Sequence, residues 1–286
     1  MKRFGIEGVE SFIPGLKQFM DRAVDHGART FIIGMPHRGR LNCLANVVKK
    51  PKEQIFAEFI GTLPSQSGEN DIGSGDVKYH LGTTLHRNIK GHECKISLMA
   101  NPSHLEAVNP VVMGRARAEQ HFVTSDKRDA VVPIIIHGDA SFAGQGIVYE
   151  TIQMQDLPDY EVGGTVHVIV NNQIGFTTSP FQGRSGYYCS DLAKAINAPI
   201  FHVNADCLED VSKVFEIAAE YRQHFNKDVF IDLIGYRKMG HNELDQPSFT
   251  QPLMYNIVKK KQAVRDMYRQ QLLKDGITEA ELSKID

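Results

Sequence analysis

The chain has 286 residues, long enough for one large domain or two small ones and for a sizeable buried core. Its composition, 42% hydrophobic and 23% charged, is that of an ordinary globular protein. A formal net charge of −2 gives no electrostatic basis for binding nucleic acid or an anionic membrane.

No apolar run approaches the roughly 20 residues that span a bilayer. The start, "MKRFGIEGVESFIPG", lacks the apolar core of a secretion signal and is too acidic for a good transit peptide. The four cysteines show no CxxC spacing and read as free thiols in a reducing compartment. Histidine is abundant, yet no HExxH or similar zinc spacing occurs.

In chain order, Phe12, Leu16, Phe19, Met20 and Ala23 give helical spacing over 12–26, closed by Gly27. A strand follows over 29–35, then a helix from Leu41 to about Val48. The stretch "GTLPSQSGENDIGSGD" (61–76) reads as a loop or lid. Strand "CKISLMA" (94–100) leads to a helix through 105–121. Strand "AVVPIIIH" (130–137) contains Pro133, which argues for an edge position or a bulge. A helix over 144–156 and strand "TVHVIVN" (165–171) come next, then a second Gly-containing loop over 177–191. Strands 198–204 and 228–236 flank a helix at about 209–224. The last 35 or so residues, from about 250 to 286, read as a charged helical extension.

Apolar strands alternating with helices predict an α/β fold, a mostly parallel sheet covered by helices. In such sheets ligands gather at the carboxyl ends of the strands. Nearly every unusual polar cluster lies there: "GMPHRGR" (34–40), "NPSHLE" (101–106), "HGDASFAGQG" (137–146), "NNQIGFTT" (171–178), "VNADCLED" (203–210) and "YRKMGHNELD" (236–245). The strand starts are plain by comparison. One edge is the site.

Asp139 and Asn172 end two of these strands, one βαβ unit apart. A carboxylate, an amide oxygen and a nearby backbone carbonyl make a hard, incomplete oxygen shell that suits Mg²⁺ and leaves room for phosphate. A helix start near Ala143, with Gly144 and Gly146, would offer N–H groups to an anion. The blander alternative has Asp139 capping the next helix and Asn171 and Asn172 satisfying turn backbone. Either motif alone favours that view; the two together favour a magnesium–diphosphate anchor.

A GD motif followed by NN is also the signature of enzymes that use thiamine diphosphate. With "GMPHRGRLN", "GDVKYHLG", "NPSHLEAVNPVVMG", "HGDASFAGQG", "NNQIGFTT" and "GHNELDQP", the chain resembles the decarboxylating components of 2-oxoglutarate dehydrogenase complexes. The resemblance runs over about residues 4–270. Ala140 stands where many thiamine-dependent enzymes have a second glycine, and GDA is usual in this branch.

The resemblance implies a thiamine-diphosphate-binding fold and a set of roles. Asp139, Asn172 and the carbonyl of Ile174 would hold Mg²⁺. Arg38, Ser103, Leu105, Ala140 and Ser141 would lie along the cofactor, and His37, His80 and Ser103 would face the 2-oxo acid. Arg38 and Arg40 are equally open to structural ion pairing. His104 and His137 are open to a role as hydrogen-bonded strand-end residues, and His241 reads as loop-ordering.

The implied reaction is decarboxylation of 2-oxoglutarate, with 2-oxoadipate as the alternative. Tyr79 before His80 favours the former. The succinyl group would pass to the lipoyl arm of a succinyltransferase that works with dihydrolipoamide dehydrogenase. The full-length enzyme would be a homodimer in the mitochondrial matrix, or in the cytoplasm of a bacterium. Residues 1–286 would form a single diphosphate-binding domain without the family's pyrimidine-binding domain. Alone it is expected to bind cofactor weakly, to expose apolar surface and not to turn over.

Overall fold

The computed structural model describes residues 4–60 and 80–285. The expected loop at 61–76 and Tyr79 lie outside the described residues. Helix α1 (Phe12–Asp25) leads to β1 (Thr30–Gly34). The short α2 (Arg40–Asn42) runs into a π-helical turn at Cys43–Val48, and α3 (Lys52–Ile60) follows. Then come β2 (Thr83–Ile89), β3 (His92–Leu98), α4 (Val108–Val123), β4 (Val131–Gly138), α5 (Asp139–Gly144) and α6 (Gly146–Ile152). Strand β5 (Val166–Asn171), α7 (Pro180–Gly183), a 3₁₀ segment at Cys189–Ile196, β6 (Ile200–Asn204), α8 (Leu208–Phe225) and β7 (Val229–Ile234) complete the sheet region. The chain then continues as α9 (Pro252–Val258), α10 (Val264–Lys274) and α11 (Glu279–Leu282).

The seven strands lie in the order β2-β3-β1-β4-β5-β7-β6. All pairings are parallel except the β2/β3 hairpin, so the expected mostly parallel α/β architecture holds. Alternate side chains of each strand feed opposite layers. Phe31, Ile33, Val132 and Ile134 pack with Phe12, Leu16, Phe19 and Phe215 of α1 and α8. Ile32, Val131 and Ile135 meet Val108, Val112 and Ala116 of α4 on the other face. Further along that face, Ile169 and Phe230 meet Phe142, Val148 and Ile152. Burial on both faces is why these strands read as continuous apolar runs.

Strand β2 is missing from the sequence reading. Its exposure alternates regularly along an edge, and Lys90 (φ 51°) with Gly91 (φ 87°) turns it into β3 through two left-handed residues. That is the geometry of a tight hairpin, and only the glycine advertises it.

The position expected for Pro133 is corrected: β4 is central, between β1 and β5. Ala130 O accepts from Thr30 N, which points the backbone of even-numbered β4 residues at β1 and leaves Val131 and Pro133 facing β5. Pairing with β5 begins only at Ile134↔Val166. Below it, fully buried Arg222 donates to the carbonyls of Arg128, Val131, Val162 and Gly164. The proline's missing N–H falls where a guanidinium has replaced the ladder.

Candidate active site

Six parallel strands end on one edge, and the antiparallel β2 begins there. That is how His80, just ahead of β2, reaches the same edge as the strand-end residues. A cleft of about 110 Å³ lies along it, lined by His37, Arg38, Leu105, Asp139, Ala140, Ser141, Asn172 and Ile174. A wider cleft of about 470 Å³ adjoins it, and Asp139, Ala140 and Ser141 line both. Ser103 and His80 stand outside these linings and bond to each other, Oγ to Nε2, at 2.9 Å.

Asp139 follows β4 directly and is the first residue of α5. The expected helix start near Ala143 is therefore corrected. The helix begins at Asp139, breaks at Gln145, whose backbone is extended, and restarts at Gly146 as α6. The N–H groups of the first turn belong to residues 139–141, beside the carboxylate itself. Asp139 is 3% exposed, and burial pushes its carboxyl up to about 7. Arg184 and the backbone N–H groups of Asp139 and Ala140 oppose that rise, while Asp232 adds to it.

The two asparagines divide their labour. Asn171 donates to buried Asp232 at 2.9 Å and accepts from Gln173 N, which is the structural alternative. Asn172 lines the cleft and turns the chain by accepting from Ile174 N at 3.3 Å. The register Gly138↔Val170 sets Asp139 and Asn172 just beyond one ladder rung. The turn they frame needs left-handed backbone at Gln173 (φ 59°) and Phe176 (φ 52°). At Gly175 a Cβ would lie 2.7 Å from the Ala140 methyl, so the loop and α5 touch only because both residues are small.

These donors fit a divalent cation. A carboxylate this buried needs a counter-charge, the nearest guanidinium nitrogen is 3.7 Å away, and the set is all oxygen.

Arg38 donates to the carbonyls of Gly5 and His241 at 3.0 and 2.8 Å, and burial holds it down at about 10, still cationic at neutral pH. Arg40 is fully buried and donates to the carbonyls of Met35, Leu81 and Met99. Its role is structural, through carbonyls rather than carboxylates. His37 rests against the Phe4 ring at 4.0 Å. Burial, with Arg38, His241 and His80 adding to it, lowers His37 to about 4. The ring is thus neutral at pH 7. NMR should find His37 uncharged from pH 8 down to about 5. Its folded pKa lies below the unfolded value, so its contribution to stability is full above about 6.5 and declines as pH falls towards 4. A midpoint near 6.5 would contradict this environment.

His137 is a buried residue of the cleft lining. Its Nδ1 meets Glu106 Oε2 at 2.6 Å, and its Nε2 meets His167 Nδ1 at 3.0 Å. Sequence reasoning passed over Glu106 in this role, along with Arg184 and Arg237, and gave His241 only a loop role although its ring lines the cleft. The signals were faint: Glu106 closes a short turn, Arg184 sits in a Gly- and Ser-rich loop, and Arg237 stands beside Lys238 after β7. His104 is exposed. Phe181 on α7 and Leu244 and Phe249 on the turns after β7 stand exposed nearby.

Fold and cleft together define an α/β domain with a cleft at the carboxyl ends of its parallel strands. Comparison narrows this: a family model described as "Dehydrogenase E1 component" matches residues 1–286, and the chain belongs to that family. It is 53% identical over 277 residues to the mitochondrial 2-oxoglutarate dehydrogenase of Dictyostelium discoideum, covering 96% of this chain and 27% of that protein. It is 55% identical over 278 residues to the Saccharomyces cerevisiae protein of the same name, at the same coverage. A mitochondrial 2-oxoglutarate dehydrogenase-like protein of Rattus norvegicus is 52% identical over 292 residues, 100% of this chain and 28% of that one. The chain thus spans little more than a quarter of the length of these relatives. No helix among the described residues is long and apolar enough to cross a membrane.

Proposed function

We propose that this chain is the diphosphate-binding part of a thiamine-diphosphate-dependent 2-oxoglutarate dehydrogenase acting in the mitochondrial matrix. The carrying observation is that Asp139, Asn172 and Ile174, on neighbouring parallel strand ends, line one cleft. The relatives above are all named for 2-oxoglutarate, which favours it over 2-oxoadipate. The rest of the reading is a homodimer that hands its succinyl group to the lipoyl arm of a succinyltransferase, served by dihydrolipoamide dehydrogenase.

Asp139, Asn172 and the Ile174 carbonyl would hold Mg²⁺, and the diphosphate would lie against Ala140 and Ser141 at the start of α5. Thiamine diphosphate, when bound, supplies the electron sink that lets a 2-oxo acid lose CO₂. Leu105, Ile174 and Phe176 line the cleft with apolar surface and exclude water, which strengthens every polar contact inside. Arg38 brings fixed positive charge to the cleft. Neutral His37 can donate a hydrogen bond to a carboxylate or a developing oxyanion without adding charge. His80, paired with Ser103, would meet the distal end of the substrate.

Calorimetric titration with thiamine diphosphate tests the reading. Binding should require Mg²⁺; metal-independent binding, or none at all, would refute it. In the complete enzyme His80→Ala should cut 2-oxoglutarate turnover by about a hundredfold while changing cofactor affinity little. Equal losses in both would mean that His80 holds the pocket together and does not meet substrate.

A further inference from the structure

One cation already sits beside Asp139. Arg184 places Nη1 3.7 Å from Asp139 Oδ2, with 14% of its side chain exposed. That separation exceeds a hydrogen bond, so the contact is a loose ion pair and not a bidentate fork. The guanidinium is under-committed elsewhere, since its Nε is buried without a hydrogen-bond partner. Arg184 follows the four-residue α7 in extended backbone, within a stretch rich in Gly and Ser where Tyr187 is exposed. It also lines the 470 Å³ cleft that opens from Asp139 over Ala140 and Ser141. Histidine apart, it is the only cationic side chain among the described residues of that lining.

We propose that Arg184 is the resident counter-ion of Asp139 and is exchanged for a divalent cation, which frees the guanidinium to meet the anion that accompanies the metal. The inference rests on the metal site proposed above and adds a moving part to it. A carboxylate as buried as Asp139 cannot remain charged without a cation nearby. A guanidinium and a divalent ion cannot both occupy one side of it, because they repel each other and compete for the same oxygens. The displaced guanidinium has a planar fork of donors suited to phosphate oxygens. The loop over 177–188 moves with it, so occupancy of the metal site is reported at the protein surface.

The exchange gives Arg184 effects of opposite sign on two ligands, which a merely structural residue would not show. With Mn²⁺ as the probe and no cofactor present, electron paramagnetic resonance should find Arg184→Met binding the metal about tenfold more tightly than the unaltered protein, because the competing cation is gone. Added inorganic pyrophosphate should tighten Mn²⁺ binding in the unaltered protein and much less in Arg184→Met. Arg184→Lys, which keeps the charge, should stay close to the unaltered protein for Mn²⁺ alone.

A second readout needs no substitution. Tryptic cleavage after Arg184, followed by mass spectrometry, should speed up when Mn²⁺ is added and slow again with pyrophosphate. Asp139→Asn separates the two ideas. If it binds Mn²⁺ as well as the unaltered protein does, the metal lies elsewhere and both fall. If it binds none, yet Arg184→Met binds no tighter than the unaltered protein or cleavage ignores Mn²⁺, the exchange is refuted and the metal site stands.

Discussion

Asp139→Asn is expected to stabilise the metal-free protein while abolishing its uptake of Mg²⁺. The two effects share one cause. Asp139 is 3% exposed, and burial lifts its carboxyl from the ordinary 3.8 to about 7 against the pull of Arg184. The folded chain therefore holds a proton between about pH 4 and 7 that the unfolded chain has released. With more protons bound in the folded state, stability falls as pH rises through that window and is lowest above it. An uncharged amide removes this penalty.

At pH 8 the gain should be on the order of 4 kcal/mol, from about three pH units at 1.36 kcal/mol each, since the value of about 7 already includes what the ion pair and backbone donors supply. Chemical denaturation at pH 5 and pH 8 measures it. The unaltered protein should lose stability between the two, and the variant should lose much less. Mg²⁺ should restore the unaltered protein at pH 8 and do nothing for the variant. A variant less stable than the parent at both pH values would show the carboxylate to be a structural cap, the blander reading of the sequence.

That reading could not be dismissed from one motif, and the structure shows why. Both asparagines take the turn role the sequence allowed, Asn171 accepting from Gln173 N and Asn172 from Ile174 N, and Asn172 lines the cleft as well. What the sequence carried well were features with long periodic signals: apolar strands, their shared carboxyl edge, and motifs planted at strand ends. What it hid were local features set by distant partners. Pro133 looks like an edge residue until Arg222, 89 positions later, is seen closing the same gap. Strand β2 has a polar edge and few apolar residues, so its periodicity is weak without its partner β3. The start of α5 at Asp139 was misplaced because a helix that begins on the residue directly after a strand has no separate linker to mark it. Arg184 sits in a stretch whose composition says only "loop", and only its distance to Asp139 gives it meaning.

Glu106→Ala should be among the most destructive single changes in the chain, and Glu106→Gln should recover part of the loss. Glu106 is 7% exposed and held at φ 71°, a left-handed conformation that costs a residue with a Cβ about 1 kcal/mol or more. What holds it there is its carboxylate, which accepts from Asn109 Nδ2 at 2.9 Å and Ser141 Oγ at 2.5 Å and pairs with His137 at 2.6 Å. Burial works to raise its pKa, but the contact with His137 and these donors outweigh it and keep the group below the usual carboxylate range.

Removing the carboxylate takes the acceptor from three donors, of which only Ser141 Oγ keeps another in the Gly138 carbonyl, and should cost about 3–5 kcal/mol. Two of them, on His137 and Ser141, flank Asp139 by two positions on either side. The damage should therefore reach the metal: even folded Glu106→Gln protein should bind Mg²⁺ about 10–100 times more weakly, the usual toll of losing a group that orients a ligand. Thermal denaturation ranks the two variants, and Mg²⁺ titration of the glutamine form below its melting temperature isolates the effect on the site. Undiminished Mg²⁺ affinity in folded Glu106→Gln would confine Glu106 to the fold. Weakened affinity with near-parental stability would make its bond to Ser141 part of the metal site, reached through the first turn of α5.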